Sequence, residues 1–430
     1  MAAEPGRVVQ RAAWLTLSVA IGGLILLLQA CLERPPPARP PVETRLSSPV
    51  ALAPFFAALA ALEERQTQDT VRLLQLGDSH TANDSLSGRL RDRFQARFGD
   101  AGRGWLPAGI PFKYYRPHQA SVSETGWRHF KPSDHQPGLA FGLDASDAQS
   151  EPPEASMAIE STDPVGFNRV AVEYLTQPQG SAFTVQVDGG APIRVSTAAA
   201  QPAIARFELP LGHPARRVEL RVAERPPIDL LGWAVERHGP GIIYENHGTI
   251  GATVDILGRM TPEAVSYELA ERRPALIIVA FGTNEGFDDT LDLDRYTQRF
   301  RSAIAELQRR APQAPVLVIG TPDGNRVARG CAPTRCGSDA GECTWAEPPK
   351  LGGVRDVQRR VARDAGWAYW DWFAAMGGTC SIDRMAGADP ALVTPDHVHL
   401  TKAGYEGIAD TLFGDLMNAY SDWKARGPTS

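Results

Sequence analysis

Cysteine is scarce, at 5 residues in 430. A disulfide-dense mini-scaffold is therefore excluded, and no short Cys-x-x-Cys pairs with nearby histidines mark a zinc ribbon. There is no surplus of basic charge either. Lys and Arg number 44 against 50 Asp and Glu, a formal charge of −6, so the global attraction to phosphates that a dedicated nucleic-acid binder shows is missing. Aromatic residues make up only 8%. Long hydrophobic runs are confined to one place, the N-terminus. Internal repeats are absent, which excludes solenoids and propellers. With 43% hydrophobic and 22% charged residues, what remains is an ordinary folded chain, long enough for two or three domains.

The single long apolar run reaches from Trp14 to Leu28 and follows Arg7 and Arg11. A basic stretch before an uncharged one is the pattern of an export signal. It ends at Leu28-Gln29-Ala30-Cys31, which resembles a lipoprotein cleavage box with Cys31 as the lipidated residue, although Gln29 is unusual there. The run is also long enough to remain as an uncleaved membrane anchor. Either way the rest of the chain is expected to be exported, periplasmic and tethered to the membrane. Prolines at 35–37, 40 and 41 make residues 32–46 a semi-rigid spacer. Setting Cys31 aside leaves Cys331, Cys336, Cys343 and Cys380, an even number able to pair completely in an oxidising compartment, in any of three connectivities.

Beyond the spacer, short apolar runs alternate with helical patterns. Val71–Leu76 reads as a strand and is followed by Leu86, Leu90, Phe94 and Phe98, one apolar residue per turn of a helix. Further strands are read at 242–244, 276–281, 316–319 and 368–372, with helices at 254–271, 296–307, 354–365 and 405–417. Five strands alternating with helices predict a parallel α/β sheet. The stretch 106–238 differs: segments such as Phe183-Thr184-Val185-Gln186-Val187 alternate with period two and end in turn residues. It is expected to form an antiparallel β-sandwich inserted into the α/β domain. The expected organisation is a signal or anchor at 1–31, a linker at 32–46, the first α/β part at 47–105, the insert at 106–238 and the second α/β part at 239–430.

Ser79 follows the first strand in Gly77-Asp78-Ser79-His80, at the carboxyl end of a parallel sheet, where sites form. A capped helix start is the other reading of that tripeptide. Three more blocks follow the same logic: Asn246-His247-Gly248-Thr249-Ile250-Gly251, Gly282-Thr283-Asn284-Glu285 and Asp396-His397-Val398-His399. Together they resemble the SGNH (GDSL) hydrolase superfamily, with two departures: His80 stands where the namesake leucine is usual, and His397 where glycine is common. The resemblance implies a three-layer flavodoxin-like fold with a five-stranded parallel sheet. It makes Ser79 the nucleophile, His399 the base and Asp396 its partner. The oxyanion hole comes from the backbone N–H groups of Ser79 and Gly251 and the Asn284 amide. No cofactor or metal is implied. An Asp three residues before a His can orient the ring's second nitrogen toward the serine, which favours His399 over His397. His80 is expected to pack beside the site.

Within the superfamily the chain is most similar to bacterial peptidoglycan O-acetylesterases. That likeness rests on Gly77-Asp78-Ser79-His80-Thr81-Ala82, on Gly102-Arg103-Gly104-Trp105, on Gly282-Thr283-Asn284-Glu285 and on the inserted β-domain, which in that branch resembles a carbohydrate-binding module. It implies an esterase acting on an O-acetylated cell-wall polysaccharide, most of all peptidoglycan. A polysaccharide O-acetyltransferase using the same residues is the alternative, and a non-catalytic wall-binding protein is the alternative of another class. Tyr114, Tyr115, Trp127 and Phe130 are candidates for stacking on sugar rings, sandwich packing being the other reading. The glycine-rich 323–350 segment with its three cysteines is expected to be stapled by a disulfide to the loop of Cys380, bracing one wall of the cleft.

Overall fold

In the computed structural model, residues 45–134, 138–151, 154–222, 224–225, 227–327 and 345–427 are described. The export segment with Cys31, most of the proline spacer, and Cys331, Cys336 and Cys343 lie outside them. Cys380 is disulfide-bonded.

Five strands whose side chains are buried on both faces build the central sheet: β1 (Thr70–Gly77), β2 (Gly241–Gly248), β3 (Leu276–Ala280), β4 (Val316–Ile319) and β5 (Ala368–Trp370). All pair in parallel, in the order β2-β1-β3-β4-β5. A two-residue strand, Leu46–Ser47, adds an antiparallel edge to β5. Near-continuous apolar runs such as Leu276-Ile277-Ile278-Val279 demand cover on both sides, and helices supply it. On one face lie α1 (Ser85–Phe98) and α5 (Lys402–Arg426), joined by an alanine-rich helix, Ala53–Glu63, that escaped the sequence reading. On the other lie α2 (Pro262–Arg272), α3 (Leu293–Arg310) and α4 (Leu351–Ala365). The apolar residues picked out by spacing, Leu86, Leu90, Phe94 and Phe98 on α1 and Tyr296, Phe300, Ile304 and Leu307 on α3, are all buried. Asp292 caps α3, its carboxylate accepting from the N–H groups of Asp294 and Arg295.

Between β1 and β2 the chain forms two antiparallel sheets. One has five strands; the other has five in sequence plus Gly102–Pro107 pairing on Asp229–Glu236. Side chains from both sheets, among them Ile159, Val170, Val185, Leu220 and Val235, fill the space between them. This is the expected sandwich, with one difference at its border. Gly102-Arg103-Gly104-Trp105, expected within the first α/β part, belongs to a strand, Gly102–Pro107, paired on the insert. Two glycines make that possible: Gly102 has φ +99° with Glu236 Cα 2.8 Å from where a Cβ would sit, and at Gly104 a Cβ would come within 2.4 Å of Ile243 Cγ2 on β2. Insert and sheet belong to one compact unit beginning at Arg45.

Candidate active site

In a sheet of order 2-1-3-4-5, the connections leaving β1 and β3 turn to opposite faces, so a crevice opens between their carboxyl ends. Ser79 enters it from β1. Asp78 caps the one-turn helix Ser79–Ala82 by accepting from the His80 N–H at 3.0 Å. Gly77 is required just before: a Cβ there would stand 2.2 Å from Thr81 Oγ1 and 2.6 Å from the Ala280 carbonyl of β3. Asp78 is fully buried, and that burial pushes its carboxyl up to about 6 against the donors from His80 and Thr283 and the nearby His399.

The loop before α5 brings the imidazole. His399 Nε2 lies 2.8 Å from Ser79 Oγ, and its Nδ1 lies 2.6 Å from Asp396 Oδ2. The other Asp396 oxygen accepts from Thr394 Oγ1 at 2.6 Å and from the Val398 and His399 N–H groups at 3.0 Å each. Partial burial raises the Asp396 carboxyl, but hydrogen bonds from Thr394, His399 and Val398 outweigh it and hold the group well below the usual carboxylate range. A permanently ionised Asp396 accepting at Nδ1 leaves Nε2 free to take the serine proton. His397 is turned elsewhere: its Nδ1 is 2.7 Å from Asp383 Oδ1, and its ring stacks on Trp345 at 3.8 Å. Of the two histidines in the block, the fold brings only His399 to Ser79.

His80 packs beside the site, as expected. Its ring centroid is 5.2 Å from that of His399, its Nδ1 is 2.8 Å from Tyr405 Oη, and its Nε2 is buried without a partner. Burial, reinforced by His399, drives this imidazole down to about 3, so it is neutral.

Ser79, His399, Gly251 and Asn284 line one cleft of about 650 Å³. Gly251 has φ +72°, and Asn284 Nδ2 donates to the Ala252 carbonyl at 2.8 Å, which aims the amide and leaves its second hydrogen for a ligand. Glu285 clamps the same two loops by accepting from the Val254 N–H at 2.7 Å, and burial pushes its carboxyl up to about 7.

Apart from Tyr114, sequence reasoning missed the far wall of the cleft. Phe112, Tyr114, Arg116 and His118, from an insert loop, line it together with Ile250. Asp84 anchors that loop: fully buried, it accepts from the His118 N–H at 2.8 Å and pairs with Arg91 and Arg103 at 3.1 Å each. Nothing in local spacing distinguishes Asp84 from a surface aspartate. Among the aromatics proposed for sugar stacking, Trp127 belongs to the sandwich core, while Tyr114 is 73% exposed at the cleft mouth.

This geometry can be set beside known proteins. Residues 217–406 match the model of the GDSL-like Lipase/Acylhydrolase family, a span that begins inside the insert and does not reach Ser79. A solved structure described as "Peptidoglycan O-acetylesterase in action, 5 min" aligns with a TM-score of 0.72 at 24% identity, covering 88% of this chain and 100% of that one. A family two carbohydrate esterase from Clostridium thermocellum in complex with cellohexaose aligns at 0.30 and 12% identity, over 69% and 98% of the two chains. An acetyl xylan esterase, AlAXEase, aligns at 0.28 and 15%, over 40% and 79%. No curated protein matches the sequence. The chain resembles the GDSL-like Lipase/Acylhydrolase family over residues 217–406 and shares the fold of the peptidoglycan O-acetylesterase structure.

Proposed function

We propose that this enzyme removes O-acetyl groups from a cell-wall polysaccharide, peptidoglycan in the first instance, through an acetyl-Ser79 intermediate. The observation that carries this reading is the continuous Ser79–His399–Asp396 hydrogen-bond chain, opening into a cleft that also holds Gly251 and Asn284 and is walled by the insert. Ser79 Oγ attacks the acetyl carbonyl while His399 Nε2 takes its proton. The oxyanion is met by the Ser79 and Gly251 N–H groups and the Asn284 amide. His399 then returns the proton to the departing sugar oxygen. Water repeats the cycle, attacking the acetyl-serine as His399 accepts its proton, and acetate leaves. Asp396 stabilises the imidazolium in both steps. Residues 1–31 export the chain and hold it at the membrane, through a lipid on Cys31 or an uncleaved helix; among the described residues no helix is long and apolar enough to cross a membrane. The insert presents the polymer to the cleft.

Acetate release from O-acetylated peptidoglycan, acetylated xylan and an aryl acetate tests the reading. Wild type should release acetate fastest from peptidoglycan, and Ser79→Ala should release none while melting at the wild-type temperature. Equal rates from Ser79→Ala and wild type would sink the mechanism. Fractionation should find the full-length chain with the membranes; a soluble cytoplasmic product would refute export.

A further inference from the structure

The cleft contains a second histidine–aspartate pair, separate from His399 and Asp396. His118 Nε2 lies 2.9 Å from both carboxylate oxygens of Asp92 on α1, and both residues line the cleft that holds Ser79. Asp92 is itself steadied by the Gln119 amide, which donates to it at 3.1 Å. The main chain of His118 is fixed as well. Its N–H donates to Asp84 at 2.8 Å, and its carbonyl accepts from Arg103 Nε at 2.9 Å. The residue also sits tight on α1, where a Cβ at Gly88 would stand 2.8 Å from the His118 Cβ. A ring ordered this far by the fold meets a ligand with little further loss of side-chain freedom.

One polar atom of His118 is left over. Nδ1 makes no hydrogen bond among the described residues, and the side chain stays 36% exposed where it lines the cleft. Unlike the partnerless Nε2 of His80, this atom is not sealed from solvent. Its chemistry is set from the other side of the ring. The Asp92 oxygens only accept, so Nε2 carries the proton, and Nδ1 of the neutral imidazole is an acceptor. His399 already holds Ser79 Oγ, so the reaction has no need of a second base. An acceptor fixed in a wall whose mouth also carries the exposed Tyr114 ring complements a molecule with hydroxyl donors on an apolar ring. A saccharide has both features, whereas an aryl or alkyl acetate has no donor to offer.

We propose that His118 is a specificity-determining residue: its Nδ1 accepts a hydrogen bond from a free hydroxyl of the saccharide in the cleft, and Asp92 fixes the tautomer that makes it an acceptor. The proposal rests on the esterase reading and deepens it, since it selects esters of hydroxylated sugars over esters of lipids or phenols at the same serine.

Two substrates separate this from the esterase reading: a methyl glucoside monoacetate, which carries hydroxyls and no amide, and an aryl acetate, which carries neither. In His118→Leu the ratio of kcat/KM for the sugar ester to that for the aryl ester should fall roughly fivefold, the worth of one neutral hydrogen bond. The loss should appear in KM of the sugar ester, because the bond is made to the bound saccharide and not to the reacting carbonyl. His118→Asn, which returns an acceptor oxygen near the place of Nδ1, should recover at least half of the ratio. A ratio that does not move in His118→Leu, because both substrates suffer alike or neither suffers, would leave His118 a structural residue and overturn the proposal, as would a His118→Asn no better than His118→Leu. A wild-type enzyme that turns over the aryl ester but not the sugar ester would overturn it too, with the serine esterase chemistry intact. Inactivity on both substrates would instead sink the esterase reading itself.

Discussion

Asn284 shows how much of the proposed chemistry turns on one amide. One hydrogen of its Nδ2 goes to the Ala252 carbonyl, and the other is available to the oxyanion. Asn284→Ala should lower kcat by about 10²–10³. The fold should persist, because the Glu285–Val254 hydrogen bond still joins the two loops; kcat on an aryl acetate, read beside a thermal melt, checks both. The four blocks were legible at this scale because a strand-to-helix turn makes nucleophile, donors and base local in sequence. Choosing between His397 and His399 needed only the Asp-x-x-His register. The same reasoning could not find Asp84, whose role comes from burial against segments far along the chain, and it named Tyr115 only as a candidate for sugar stacking.

Charge pairs join the elements of insert and sheet in a way that hydrophobic patterning hides. Arg72 of β1 bridges Glu236 of the insert and Glu245 of β2 at 2.8 and 2.9 Å. Arg272 of α2 reaches Glu245 at 3.1 Å and Glu173 of the insert at 3.5 Å, with its guanidinium 4.1 Å from the Trp105 ring centre. His247, in the glycine block, lies 2.8 Å from Asp144 of the insert. Burial pulls the His247 imidazole down, but Asp144 and Glu245 outweigh it and raise the group to about 9. A histidine whose folded value is raised contributes stability that is complete below its unfolded value, about 6.5, and lost as pH rises through about 9. Glu268 acts in the same direction over a lower window: burial pushes it up to about 8, so the stability of its protonated folded form falls as pH rises from about 4.5 to about 8 and is flat above that. The melting temperature should therefore decline between pH 7 and 9.5, and His247→Gln should flatten that decline. A slope unchanged by the substitution would show that the charge of His247 does not stabilise the fold. The elements themselves were largely visible, since apolar spacing marks strands and helices well. The helix Ala53–Glu63 was not, because its alanines and paired phenylalanines show no polar face.

At the scale of the whole molecule, the insert is part of the enzyme's frame and not a detachable module. Gly102–Pro107 enters it and Asp229–Glu236 leaves it as paired strands, both lying against the sheet through Gly104 and Glu236. Excising residues 102–236 would strip Arg72 and Arg272 of buried carboxylate partners, a loss of the kind that costs about 3–5 kcal/mol per broken pair. A chain with that deletion bridged by a short linker should fail to fold, giving neither a cooperative melt nor aryl acetate hydrolysis. The intact chain from Arg45 onward should melt in one transition. Two separate transitions would mean that insert and core are thermodynamically independent.

The sequence by itself determined the alternation of strands and helices, the position of the insert between the first two parallel strands, and the order of the four blocks. Each is written in side-chain periodicity or in motifs of a few residues, where neighbours in the chain are neighbours in space. Only the tertiary structure decided that Gly102–Pro107 belongs to the sandwich and that an insert loop walls the cleft. Those relations join residues more than a hundred positions apart. They depend on which buried charges and close-packed glycines face one another, and no local pattern encodes that.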